Sequence, residues 1–209
     1  MPFIKEKPST TSRAASSENL SDCEILIEQL EHADPTTRWW AARDLAERAS
    51  EKASKALVSR LEREEDPSVL EIILTALTCL GDKTAVAGLV KCLSSENVTL
   101  RNGCIEAMKQ LPTQVGALMK DLLADPDPDV RIGAVNILET LRHPDVVEWL
   151  IDVIENDEHV NVCATALDLL VEVGSASSAP SLRRLKARFA NEPYIQFAVD
   201  LALQRISAV

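Results

Sequence analysis

The sequence predicts an all-α solenoid of about six helix pairs, stacked into a curved right-handed superhelix. The first observation behind this is a phrase that returns at a near-constant interval. It reads Asp34-Pro35-Thr36-Thr37-Arg38, Asp66-Pro67-Ser68-Val69-Leu70, Asn97-Val98-Thr99-Leu100-Arg101 and Asp127-Pro128-Asp129-Val130-Arg131. Weaker copies follow at Asp157-Glu158-His159-Val160-Asn161 and Asn191-Glu192-Pro193-Tyr194-Ile195, so the first residues step by 32, 31, 30, 30 and 34. A period of that size marks stacked units, each sheltering its apolar side on its neighbours. The second observation is composition: 46% apolar residues, 3% aromatics and six glycines suit tightly packed helices. The third is that no sustained period-two alternation signals strands.

Residues 1–18 read as a disordered, Ser/Thr-rich tail with little to bury. Its head, Pro2-Phe3-Ile4-Lys5, is either a frayed terminus or a short docking segment. Residues 19–209 read as a single repeat domain. Each second helix of a pair opens with the phrase above. Asp34, Asp66 and Asp127 are placed to accept hydrogen bonds from first-turn amides, a cap worth about 1 kcal/mol. Pro35, Pro67 and Pro128 then take the first helical position, where a missing N–H costs nothing. Val130, Ala134, Ile137, Leu138 and Leu141 follow at helical spacing, and Gly81 and Gly174 are placed to end two of these helices. The first helices share a pattern of their own: Val86, Leu89, Val90 and Leu93, then Val115, Leu118, Met119 and Leu122, then Val147, Leu150, Ile151 and Ile154. Helices of about three turns are marginal alone, so packing between neighbours must hold them.

The formal net charge is −11. Between Asp121 and Glu172 stand 13 acidic residues against Arg131 and Arg142, whereas Ser181–Val209 carries Arg183, Arg184, Lys186, Arg188 and Arg205 against Glu192 and Asp200. A nucleic-acid binder needs a basic face, so neither DNA nor RNA is expected as a partner. Cysteines 23, 79, 92, 104 and 163 are odd in number and widely spaced, which reads as small core hydrophobes in a reducing cytoplasm. No apolar run approaches the ~20 residues that a membrane-spanning helix needs.

The phrase kept intact as Asp127-Pro128-Asp129-Val130-Arg131-Ile132-Gly133-Ala134 resembles the HEAT-like repeat of phycobilin lyases, and Gly81-Asp82-Lys83-Thr84-Ala85-Val86 is similar to that family's connection into the next first helix. The resemblance covers residue 20 to the C-terminus. It implies that Arg38, Arg101 and Arg131 brace adjacent repeats through carboxylates. Leu70, Asn161 and Ile195 stand where the other copies would carry that arginine. Repeat six, with Pro193, Tyr194 and Phe197, is atypical, as a terminal cap is.

Enzymes on related folds need residues that the sequence can be searched for. Deoxyhypusine hydroxylase holds its irons with His-Glu dipeptides, whereas the histidines here read His32-Ala33, His143-Pro144 and His159-Val160. No phosphate loop, Ser/His/Asp grouping or HExxH is present. The expectation is therefore a non-catalytic scaffold or adaptor for a protein or peptide, without cofactor or metal. The resemblance of Met1-Pro2-Phe3-Ile4-Lys5 and Arg38-Trp39-Trp40-Ala41-Ala42-Arg43 to small bacterial HEAT proteins implies a place in chemosensory or two-component signalling. The alternative is a bilin lyase subunit or tetrapyrrole-handling chaperone. For that role Asp127 and Asp129 are candidates to hold ring nitrogens, against their plainer use at a helix N-terminus.

The resemblance also implies that second helices line a concave side. There the residue after the repeat arginine changes from copy to copy: Trp39, Glu71, Asn102, Ile132, Val162, Gln196. Four residues on stand Arg43, Thr75, Glu106, Asn136, Ala166 and Asp200. Of these, Trp39, Arg43, Glu71, Thr75, Asn102, Glu106, Ile132, Asn136 and Val162 are the candidate partner-binding residues. Trp39 and Trp40 diverge by about 100° on a helix, so one is expected in the core and the other part-exposed. Asp145, Glu148 and Trp149 mark an acidic pole, and Arg183, Arg184 and Lys186 a basic one. These poles are expected either to steer a charged partner or to associate head to tail, with a monomer favoured.

Overall fold

A computed structural model describes residues 22–207, and every regular element among them is a helix. The tail of residues 1–18 and its Pro2-Phe3-Ile4-Lys5 head lie outside the described residues. The described residues form two compact units, the first ending at Ala85 and the second beginning at Val86.

The first unit holds two helix pairs. Helix α1 covers residues 22–29, and α2 runs Pro35–Ala46. The second pair is α3 (Glu51–Leu61) and α4 (Pro67–Leu80). As expected, Asp34 accepts from Thr37 N–H at 3.0 Å, and Asp66 from Ser68 and Val69 N–H at 2.9 and 3.2 Å. Each proline stands first in its helix. Helix α4 packs on α2 and α3, and Ala42, Leu45, Leu57, Ile73 and Leu77 are sealed from water. Each such leucine or isoleucine is worth roughly 1.5–3 kcal/mol of burial. Gly81 ends α4 at φ 54°, the left-handed conformation that favours glycine. Beyond it, Asp82 accepts from Ala85 N–H at 2.8 Å and from the buried Ser54 hydroxyl at 2.6 Å.

Helix α5 (Lys83–Lys91) carries the chain into the second unit, followed by a 3-10 turn at Cys92–Ser94 and α6 (Val98–Lys109). The fourth pair departs from expectation in its first helix. It breaks into α7 (Pro112–Gly116) and α8 (Met119–Leu123), with Gly116 ending the first piece where helix propensity is lowest. Its second helix is α9 (Pro128–Leu138). Helices α10 (Val146–Asn156) and α11 (Val160–Val173) form the fifth pair; α12 (Ala179–Arg188) and α13 (Pro193–Ser207) form the sixth. Gly174 follows α11 with extended backbone, and its need for glycine is steric: an added Cβ would lie 2.4 Å from the Leu170 carbonyl oxygen.

Cys23, Cys92, Cys104 and Cys163 are buried as small hydrophobes. Cys79 is the correction: it stands in the last turn of α4, on the solvent side, and is exposed.

Candidate functional site

Three of the second helices carry a repeat arginine that ties them to their surroundings. In the first unit, Arg38 is 7% exposed and makes a bidentate pair with Glu64 of the next repeat, at 2.9 and 2.8 Å. Its remaining donors reach the His32 and Ala33 carbonyls at 2.9 Å. Burial raises the Glu64 carboxyl. The guanidiniums of Arg38 and Arg60 and the Asp66 N–H outweigh that and hold it at about 2. In the second unit, Arg131 repeats the arrangement on Asp157, at 2.6 and 3.1 Å, and on the Asp125 carbonyl at 2.7 Å. Arg101 keeps only the carbonyl half, Ser95 O at 2.6 Å, with Asp129 at 3.7 Å.

Counting from the first helical residue puts repeats five and six in a different register from the one the sequence phrase suggested. Arg38, Arg101 and Arg131 each stand three residues past the helix start, at Pro35, Val98 and Pro128. Helices α11 and α13 start at Val160 and Pro193, so the equivalent residues are Cys163 and Gln196, not Asn161 and Ile195. Contacts agree. The Cys163 thiol lies 3.2 Å from the carbonyl six residues before it, Asp157 O, as the arginines do with theirs. The missing guanidinium comes from Arg188 on α12. It reaches Ile154 and Asp157 O at 2.8 and 2.9 Å, Glu155 O, and the Cys163 sulfur at 3.2 Å. In α13, Gln196 donates to Lys186 and Phe189 O at 2.8 and 3.0 Å.

This shift corrects the candidate surface. Val162 and Ala166 are fully buried, because they align with the core positions filled by Val130 and Ala134. The corrected first row is Trp39, Glu71, Asn102, Ile132, Ala164 and Phe197, and the second is Arg43, Thr75, Glu106, Asn136, Asp168 and Leu201. None of these twelve is buried. Phe197 and Leu201 are 68% and 46% exposed, apolar side chains that the uncorrected rows passed over.

Trp40 is the exposed member of the tryptophan pair, at 49%, and Trp39 is half-buried. Their rings meet edge to face at 4.9 Å, and the Arg43 guanidinium lies 4.5 Å over Trp40. The two poles come out differently from expectation. Trp149 is buried and stacks on His143 at 4.7 Å, which removes it as an exposed anchor. Asp145 is half-buried at the start of α10, and Glu148 is exposed in its first turn. Arg183 is exposed, but Arg184 pairs with Glu155 and Lys186 with Asp200. Asp127 caps α9 through Asp129 N–H at 2.9 Å, and Asp129 is exposed in that first turn.

Between α9 and α11 runs a groove of about 220 Å³, with Asn136, Glu139, Asp168 and Glu172 on its walls and Val135 and Leu169 in its lining. Glu139 also takes Lys109 at 2.8 Å, and Asp168 accepts from the Tyr194 hydroxyl of α13.

A model of the family described as HEAT repeats matches residues 23–112 and 115–203. The chain is a HEAT-repeat protein. This HEAT-repeat protein matches no curated protein. Among solved structures it is similar to the CpcE–CpcF complex of phycocyanin lyase from Nostoc sp. PCC7120, at 18% identity over 98% of each chain, TM-score 0.39. The archaeal HEAT-like repeats protein of Thermococcus onnurineus NA1 is 17% identical over 93% of this chain and 90% of its own, TM-score 0.44. Human deoxyhypusine hydroxylase is 13% identical over 90% and 85%, TM-score 0.45. None of the three bears on what this HEAT-repeat protein binds. No helix of its described residues is long and apolar enough to cross a membrane.

Proposed function

We propose that this HEAT-repeat protein is a non-catalytic scaffold that holds a protein or peptide on the face made by its second helices. The observation that carries this is the contrast between rows. Two residues before each second-row position stand Ala41, Ile73, Cys104, Ala134, Ala166 and Val199, all apolar and all buried. Within each unit the accessible rows change character from repeat to repeat, Trp39 to Glu71 and Arg43 to Thr75 in the first, Asn102 to Ile132 and Glu106 to Asn136 in the second. Constancy inside and variety outside suit a surface that reads a different side chain at each repeat. In the first unit the anchor is Trp40 with Arg43 over its ring, since exposed Trp and Arg dominate recognition energetics. A reducing cytoplasm suits the exposed Cys79 thiol. A role beside chemosensory or two-component proteins rests on the likeness of the Arg38–Arg43 phrase to small bacterial HEAT proteins.

Affinity capture from the source cell's lysate, followed by quantification of each specific partner, tests the reading. Trp40→Ala with Arg43→Ala is expected to lose at least one partner that the unaltered chain retains. Equal recovery of all of them would remove this patch from the interface. Titration with a linear tetrapyrrole tests the competing lyase reading. Unchanged absorbance supports the scaffold, and a shifted band that survives denaturation would replace it with bilin attachment.

A further inference from the structure

Resting on that reading, we propose that the groove between α9 and α11 takes the cationic side chain of a polypeptide partner, an arginine or lysine, whose neighbouring apolar side chain lies on Phe197 and Leu201 of α13.

The groove walls carry Glu139, Asp168 and Glu172, and its lining contains no lysine or arginine. Lys109 reaches Glu139 from outside, whereas Glu172 has no ionic partner among the described residues. A cavity of about 220 Å³ is smaller than the ~300–1,000 Å³ typical of small-molecule sites, and it fits one long side chain better. A metal ion is a poor occupant, because no trio of acidic, His or Cys side chains among the described residues converges to hold one. A complementary charge on a flexible stem satisfies separated carboxylates, and Asn136 beside them offers both a donor and an acceptor to the partner's backbone.

The second half of the site is independent of charge. Helix α13 packs on α11 and presents Tyr194, Phe197 and Leu201 at 52%, 68% and 46% exposure, a strip of large apolar side chains turned to water. Tyr194 donates its hydroxyl to Asp168, so the strip begins at the groove's own wall. Acidic groove and apolar strip therefore call for one partner sequence, with a basic residue next to an aliphatic or aromatic one. The basic pole of a second copy supplies it poorly, since Arg184, Lys186 and Arg188 are engaged within their own chain and the exposed Arg183 follows a buried Leu182.

The test is fluorescence anisotropy with the whole chain and three dye-labelled peptides: Ser-Arg-Leu-Arg-Leu-Ser, Ser-Glu-Leu-Glu-Leu-Ser and Ser-Arg-Ser-Arg-Ser-Ser. Only the first is expected to bind well. Its affinity should fall at least about tenfold between about 0.1 and 1 M salt, as the Debye length shrinks from about 10 to about 3 Å. Asp168→Asn with Glu172→Gln should cost a further tenfold or more, and Phe197→Ser with Leu201→Ser a similar loss, each with an unchanged thermal midpoint. Equal binding of the acidic peptide, or indifference to the carboxylate pair, overturns the assignment. Displacement of the first peptide by millimolar CaCl2 at constant ionic strength overturns it in favour of a metal ion. If the Trp40 patch still captures partners while these variants change nothing, the scaffold stands and the groove falls. If neither patch matters, both fall.

Discussion

Single side chains decide how firmly neighbouring repeats hold. Glu64 is sealed from solvent and meets two guanidiniums and two backbone N–H groups. Removing one partner of such a pair leaves the other charge stranded, so Glu64→Gln is expected to cost about 3 kcal/mol in urea unfolding. The pH dependence has a definite sign. A carboxyl lowered from 4.5 to about 2 contributes stability that is fully present above its unfolded pKa and is lost as pH falls through the folded one. Stability is therefore expected to drop between about pH 4.5 and 2 in the wild type, with a shallower drop in Glu64→Gln. Identical acid profiles for the two would count against the pair. At the tryptophans, Trp40→Ala should leave stability within about 1 kcal/mol while weakening partner capture, since the residue is half exposed. An unfolding midpoint that collapses would make Trp40 structural instead.

At the scale of helices and loops, four of the six second-helix starts were legible in the sequence, because Asp or Asn at the cap, with Pro behind it in three of the four, is local chemistry. Asp34, Asp66, Asn97 and Asp127 all cap as that chemistry requires. The fifth start was misread, since Asp157 looks like a cap yet stands two residues upstream of His159, the residue that precedes the helix. Asp157 instead accepts from His159 N–H at 2.8 Å, the role Glu64 and Asp125 fill before Asp66 and Asp127. That upstream acid was the signal available: aligning Glu64, Asp125 and Asp157, rather than the first Asp of each phrase, gives the correct register. What no local pattern shows is a guanidinium supplied from another helix. Arg188→Ala is expected to cost about 2 kcal/mol, since it bares three carbonyl oxygens around Cys163. Chemical denaturation reads the loss, and a neutral result would mean that water replaces the side chain. Gly81→Ala is expected to cost about 1 kcal/mol, because φ is 54° there.

Across the whole molecule, the all-α repeat class was legible, since periodicity and composition are properties of the entire chain. The candidate surface was only half so: every proposed residue up to Asn136 is accessible, and the error begins where the register drifts. Repeat arrays hold together through nearest neighbours, so damage should stay local. Hydrogen exchange after Glu64→Gln is expected to quicken in α2–α4 well before α9–α13, and after Asp157→Asn in the reverse order. Uniform acceleration in both would show a single cooperative block.

The loan of Arg188 to the turn around Cys163 limits how this chain can be cut or recombined. Pair four carries its own Arg131 with the Asp125 carbonyl that it holds, and a module swapped there needs only an acid at the position of Asp157 to restore the brace. Pairs five and six do not separate so cleanly, because truncation after residue 174 takes away the clasp that closes the turn it leaves behind. Anyone shortening or grafting the C-terminal end must move both hairpins as one cassette, or install a replacement at position 163.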